Sequence, residues 1–429
     1  MSELAILGGT PVLSEAPPPF NTIGAEEVEA VSKVVATGMM SGYIATSGDG
    51  FDGGPEVQAL ERAWAETFAI EHAVVVNSAT SGLVAAMGAI GVGPGDEVIV
   101  PPYTMSATVM APLAYGGIPV FVDIDSDTYC LTARDVAAAI TPRTRAIVAV
   151  NLFGLPAELI ELRALADRHG IYLIEDNAQA PLAHQDGRLA GTIGHIGIFS
   201  LNRHKHIQTG EGGVCVTSDP DLALRLRMIR NHGEVAVEDF GIDDITNLVG
   251  FNFRITEMAA AVGTVQLKKM PVIIDEIVGY AERLSAGLAG LEGFAPPFVP
   301  DGRSHVYYSW AGRYDETQIG VPRKVFVKAL QAEGFAAYQA YTEPLYMLPA
   351  FQRRRAIGRD GFPFTLTNRT YEAGLCPNCE ALYKRHLLGY PICAYALSDE
   401  IVDRLIKAFR KVHAGRDALA ALHQADVAT

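Results

Sequence analysis

Five cysteines, two tryptophans and nine lysines are few for a chain of 429 residues. An odd number of cysteines spread over so long a chain argues against a disulfide framework and for a reducing cytoplasm. Positive charge is short too: 34 Lys and Arg stand against 49 Asp and Glu, a net charge of -15. A nucleic-acid binder would carry a basic face, so that class is disfavoured. The opening residues, MSELAILGGTPVLSEAPPP, have neither a basic start nor a long apolar stretch, and no signal peptide is expected. The longest run without charge, Val98 to Val122, is broken by Pro101, Pro102, Pro112 and Pro119 and by Gly116 and Gly117. A membrane helix needs about 20 apolar residues without such breaks. The run reads as strand, loop, helix and strand, and no membrane partner is expected.

What is present is an alternation. AVVVN (73–77), EVIVP (97–101), IPVFVD (118–123), AIVAVN (146–151), IYLIED (171–176), IGIFSL (196–201) and GVCVT (213–217) are short, β-rich and continuously apolar. Strands buried on both faces of a mainly parallel sheet read this way. Helical segments lie between several of them, including SATSGLVAAMGAI, TARDVAAAI and PAELIELRALADRHG. The pattern predicts an α/β fold with a mainly parallel sheet flanked by helices. A long helical run, TEMAAAVGTVQLKKMPVIIDEIVGYAERLSAGLAGL, follows. The stretch EGFAPPFVPDGRS then reads as a boundary near 290–304. The expected division is an N-terminal arm plus large domain over 1–290 and a smaller α/β domain over 291–429.

In such folds the site lies beyond the carboxyl ends of the strands. Four features fall there. Asp176 ends an apolar strand, where an unpaired charge is costly. NSATSG (77–82) is a small-residue turn that opens a helix, an anion site to which Ser78 and Thr80 add hydroxyls. Ser200 closes another strand. Lys205 follows five residues later inside SLNRHKHIQTGEGG, and the chain has no other lysine after Lys33 until then. An anion turn, a strand-end acid and an isolated lysine together suit pyridoxal 5'-phosphate. Its aldehyde takes a lysine amine, its ring nitrogen takes a carboxylate, and its phosphate takes N–H and hydroxyl donors. His204 and His206 have H-x-H spacing but no further ligands at typical metal spacing. CPNC (376–379) lacks a second cysteine pair, so no metal is expected. TSGDGFDGGP (46–55) reads as a flexible loop.

The motifs also carry a resemblance. GPEVQALERAWAETFAIEHAVVVNSATSGL, GDEVIVPPYTMSATVMAPLAYGGIPVFVDID, LIEDNAQA, FSLNRHKHIQTGEGG, RNHG (230–233) and VGFNFRITEMAAAVGTVQL (249–267) occur in the order of the DegT/DnrJ/StrS sugar aminotransferases. The chain resembles that family, which has the type I aspartate-aminotransferase fold. The resemblance implies that Lys205 is the Schiff-base lysine and that Asp176 pairs with the pyridinium nitrogen. It implies that Gln179 lies against the ring or its hydroxyl, and that Ala79 and Thr80, with Ser200, hold the phosphate. Asn252 would reach the phosphate from the neighbouring subunit, which implies a homodimer with Arg254 near its boundary. The implied reaction moves an amino group from L-glutamate or L-glutamine to a keto sugar, nucleotide-linked or phosphorylated, or to a keto-cyclitol.

Five positions depart from the family pattern. Ala79 stands where glycine is usual. Met105 stands where an aromatic ring stacks on the cofactor. Asn177 replaces a small apolar residue and His195 an acid. Tyr346 falls near a sugar-contacting histidine. One branch of the family is dehydratases with histidine in place of the lysine, and His204 and His206 flank Lys205. Five residues on from Ser200 and five back from Gly210 both give Lys205, which favours the aminotransferase. A non-catalytic protein that binds the cofactor or a sugar is the remaining alternative.

Overall fold

The computed structural model describes residues 3–428. Its centre is a seven-stranded sheet. The strands are β1 (His72–Val76), β2 (Glu97–Val100), β3 (Ile118–Phe121), β4 (Thr144–Val150), β5 (Tyr172–Asp176), β8 (Ile196–Ser200) and β9 (Gly213–Thr217). A small ribbon of β6 (His184–Gln185) and β7 (Arg188–Leu189) lies between β5 and β8 in sequence. The order across the sheet is β1-β9-β8-β5-β4-β2-β3. All neighbours from β8 to β3 are parallel, and β9 runs against both β1 and β8. Val, Ile and Ala fill these strands, and β2, β3 and β9 are buried along their whole length. That explains the continuous apolar runs: helices cover both faces, so no position alternates out to solvent.

The helices begin where the side chains can cap them. Ser78 caps α3 (Ala79–Ala89), Thr132 caps α5 (Ala133–Ala139), Asp219 precedes Pro220 at the start of α7 (Pro220–Arg230), and Thr256 caps α8 (Glu257–Leu288). Each oxygen accepts from an amide two or three residues on, which satisfies a donor the helix cannot. The other helices before α8 are α1 (Ala25–Thr37), α2 (Pro55–Phe68), α4 (Ala107–Ala114) and α6 (Leu159–His169). The amide of Gly54, just before α2, and that of Glu56, in its first turn, both donate to the buried carboxylate of Glu257, at 3.0 and 2.8 Å. One acid at the start of α8 thereby caps a second helix.

After α8 a second, antiparallel sheet forms from β10 (Phe294–Ala295), β11 (Trp310–Tyr314) and β12 (Leu387–Tyr390). The first described residues dock near it. The Ala5 and Val12 amides donate to Glu333, which also pairs with Lys411 at 2.7 Å. The expected strands all form within a residue or two of their anticipated limits. The 46–55 loop differs. Phe51 is buried against Phe240, Asn231 donates to the Ile44 and Phe51 carbonyls, and Asp52 lies 3.4 Å from Arg230. The RNHG segment ties this loop down, a role its glycine-rich composition does not reveal.

Candidate active site

A cleft opens at the carboxyl ends of β1, β2, β5 and β8. Ser78, Ala79, Thr80, Met105, Asp176, Gln179, Ser200 and Lys205 all line it. Eight of the nine residues expected to bind the cofactor therefore line one cleft. Asn252 does not. It is exposed, bridged to Asn231, and its carbonyl accepts from Asn77 Nδ2 at 3.4 Å. His204 lines the cleft as well, and so do Thr104, Ala178, Asn202 and Glu211, which were not anticipated there.

The anion turn is built as a helix start. Ser78 Oγ accepts the Ser81 amide at 3.1 Å and shares its proton with Ser81 Oγ at 2.9 Å. Ser81 Oγ in turn donates to Asn77 Oδ1 at 2.6 Å. The Ser78 proton is thus committed within the turn, and the donors left at its mouth are the Ala79 and Thr80 amides and the exposed Thr80 hydroxyl. Ala79 occupies the first helical position with an ordinary right-handed backbone, so the turn has no need of glycine there. Space is tight one strand away instead. A Cβ on Gly213 would stand 2.6 Å from the Ala79 nitrogen.

Asp176 is 6% exposed. Thr108 donates to its Oδ2 at 2.7 Å, and the Ala178 amide reaches Oδ1 at 3.3 Å. Burial pushes its pKa up against these donors and the charge of Lys205. Among the described residues no cation pairs with it within 4 Å. A buried carboxylate held by two neutral donors still lacks the positive partner that would stabilise its charge.

Lys205 is half-buried, with its amine sunk into the cleft and its amide bonded to the Asn202 carbonyl at 2.9 Å. Burial lowers its pKa to about 8, against the pull of Asp176. The neighbouring histidines part company. His204 is exposed on the rim. His206 is fully buried, its Nε2 2.8 Å from the Val306 carbonyl oxygen, and burial lowers its pKa to about 4. Among the described residues no group of three or more His, Cys, Asp or Glu could hold a metal ion.

Gln179 is fixed at both ends: its Oε1 accepts the Phe153 amide at 2.8 Å and its Nε2 donates to the Tyr341 hydroxyl at 3.2 Å. Met105 is half-exposed and its sulfur accepts the Ala107 amide at 3.0 Å, which ties the side chain back onto the start of α4. Two departures find local reasons. Asn177 accepts from Asn151 at 2.7 Å and donates to the Ala190 carbonyl at 3.0 Å. His195 accepts the Leu173 amide at 2.9 Å. Tyr346 is fully buried, its hydroxyl donates to Glu380 at 2.7 Å, and it does not line the cleft. Its ring packs edge-on against Phe121 within the core.

The residues present fit pyridoxal phosphate. Helix-start amides, a buried carboxylate without a cation within 4 Å and a lysine of lowered pKa line the same cleft.

The sequence profile described as the DegT/DnrJ/EryC1/StrS aminotransferase family matches residues 43–410. The L-glutamine:2-deoxy-scyllo-inosose aminotransferase of Streptomyces kanamyceticus is 37% identical over 83% of this chain and 85% of its own. The spore coat polysaccharide biosynthesis protein SpsC of Bacillus subtilis is 31% identical over 92% of this chain and 96% of its own. Among solved structures, DesI, analysed in the presence of its TDP-sugar product, superposes with a TM-score of 0.80. It is 30% identical, over 98% of this chain and 99% of that one.

Proposed function

The chain belongs to the DegT/DnrJ/EryC1/StrS aminotransferase family, and on that premise we propose that it uses pyridoxal 5'-phosphate to move an amino group from L-glutamine or L-glutamate to a keto-cyclitol or a keto sugar. The observation that carries this reading is the meeting of Lys205, Asp176 and the start of α3 around one cleft. The names of the relatives support an acceptor that is a cyclic ketone bearing hydroxyls.

When bound, the cofactor supplies an aldehyde that takes up the amino group and a ring that spreads the negative charge left at the donor's α-carbon. The protein does the rest. The Ala79 and Thr80 amides and the Thr80 and Ser200 hydroxyls bind the phosphate. Asp176 holds a proton at the ring nitrogen, and Thr108 and Ala178 hold Asp176 in place. Lys205 moves the proton from the donor's α-carbon to the former aldehyde carbon in the first half-reaction, and in the second from that carbon to the acceptor's former carbonyl carbon, ending each half in the state in which it began. A pKa near 8 suits a group that must both take and give a proton near neutral pH. Gln179, anchored to Phe153 and Tyr341, packs against the ring.

Asn252 lies outside the cleft of its own protomer, which agrees with a homodimer in which it reaches the neighbouring site. The division of the chain near 290–304 and a cytoplasmic setting belong to the same reading. No helix among the described residues is long and apolar enough to cross a membrane.

The test loads the protein with cofactor and L-glutamine and then adds a panel of cyclic ketones. One of them should restore the aldehyde absorbance and gain an amine detectable by mass spectrometry. Lys205→Ala should abolish both signals. A Lys205→Ala protein that still transfers the amino group at the normal rate would refute the assignment.

A further inference from the structure

The sequence motif around Lys205 has a partner that no motif announces. The ring of Tyr308 lies face-on beneath the Lys205 amine, with Nζ 4.3 Å from its centroid. The rings of His204 and His206 lie 6.2 and 6.4 Å from the same ring. The H-K-H loop therefore wraps one aromatic side chain that comes from a hundred residues further along the chain.

The backbone on either side of Tyr308 is held at several points. The Val306 amide donates to the Gly154 carbonyl at 3.0 Å, and the Ser309 amide donates to the Phe153 carbonyl at 3.3 Å. Gly154 has φ +106, and a Cβ there would stand 2.7 Å from the Tyr307 nitrogen and 3.0 Å from that of Tyr308, so the two backbones touch. The His206 Nε2 lies 2.8 Å from the Val306 carbonyl oxygen. Burial pushes the Tyr308 hydroxyl far up, so the phenol stays neutral and its ring keeps a negative face.

We propose that Tyr308 is a positioning residue for Lys205, its ring face receiving and holding the charged amine whenever Lys205 is not bonded to the cofactor. This rests on the reading of Lys205 as the cofactor lysine. The physical need is plain. The amine makes no hydrogen bond within the chain among the described residues, and burial favours its neutral form. A ring face attracts the cation without accepting its protons, so the amine is held near its working position yet remains free to leave. The other groups that bear on it are Asp176 at the end of β5, Cys393, His204 and His206; Tyr341 bears on Tyr308 itself.

The experiment measures the titration of Lys205 in the full-length protein freed of cofactor. Competitive acetylation across neutral to alkaline pH, read on the Lys205 peptide by mass spectrometry, gives the pKa of that amine. Three variants are compared: Tyr308→Phe, Tyr308→Leu, and Tyr308 replaced by pentafluorophenylalanine, which keeps the shape and removes the negative face. Phenylalanine should titrate as tyrosine does. Leucine and the fluorinated ring should lower the pKa by roughly 0.4 to 1.5 units. An unmoved titration in the fluorinated variant overturns the proposal, even if the leucine variant folds poorly. A phenylalanine variant shifted as far as leucine also overturns it, since the hydroxyl would then be the active part. Borohydride trapping of the wild-type holoenzyme separates the two readings. If it tags Lys205 while the variants titrate alike, only the role of Tyr308 falls. If it tags another lysine, the assignment of Lys205 falls and the proposal with it.

Discussion

Gly213→Ala adds one methyl group at the point where the sheet meets the phosphate turn. Gly213 opens β9 and pairs with Val76 on one side and Ser200 on the other. Its Cβ would meet the Ala79 nitrogen and the Ser78 carbonyl carbon at 2.6 Å and the Ala79 Cα at 2.9 Å. All three are backbone atoms, so no side chain can swing aside. Ordinary contact begins near 3.4 Å, and the start of α3 must retreat by 3.4 − 2.6 = 0.8 Å or the strand must bow. An N–H···O bond of ordinary length stretched that far is no longer a bond. Losing one bond to a charged phosphate costs about 1.5–3 kcal/mol, so cofactor affinity should fall about 10- to 100-fold. Overpacking should also lower stability by about 1–3 kcal/mol. Gly279→Ala is the control. It lies in α8 with nothing within 4 Å of the new Cβ, and should stabilise by about 0.5–1 kcal/mol. Fluorescence titration with pyridoxal phosphate and urea unfolding read both effects. If Gly213→Ala loses stability but binds the cofactor as the wild type does, the α3 start is not the phosphate site. If neither quantity moves, the packing argument itself is wrong.

Other perturbations bear on separate parts of the site. Thr108→Val keeps shape but takes the hydroxyl from Asp176 Oδ2; kcat should fall about tenfold or more while KM for the donor changes less, and the Asp176 pKa should rise further. A wild-type pH–rate profile in that variant would deny Thr108 its role. His206 and His305 are both buried with pKa lowered, to about 4 and about 3. Between those values and their unfolded value of about 6.5 the unfolded chain binds more protons, so stability rises with pH in that window and is lost on acidification. Melting from pH 4 to 7 should show a slope that His206→Gln flattens; an unchanged slope would remove His206 from the account. Glu257→Ala should lower the urea midpoint by the equivalent of about 1–3 kcal/mol per orphaned amide, for Gly54 and Glu56, and Glu257→Gln by less.

The sheet was legible because each strand is buried on both faces, so sequence apolarity and structure coincide without ambiguity of period. Asp176, Lys205 and the α3 turn were legible for a related reason. A charged or small residue at the end of such a strand breaks the apolar run, and the break marks the cleft. What sequence could not show came from contacts across long separations. Thr108 reaches Asp176 over 68 positions and Tyr341 reaches Gln179 over 162. Neither lies in a run whose composition looks unusual. Tyr346 and Tyr341 stand five residues apart, and only the fold decides that one packs on Phe121 while the other accepts from Gln179.

The two histidines show the limit most clearly. His204 and His206 are alternate residues of one loop and read alike in sequence. The structure turns one outward to the rim and buries the other against Val306. The reason is the segment around Tyr308, which closes over the loop from the C-terminal part of the chain. It gives His206 a carbonyl partner and gives Lys205 an aromatic face. A motif read in isolation identifies the reactive amine. Its surroundings, and so its proton affinity, are set by residues that the motif does not contain.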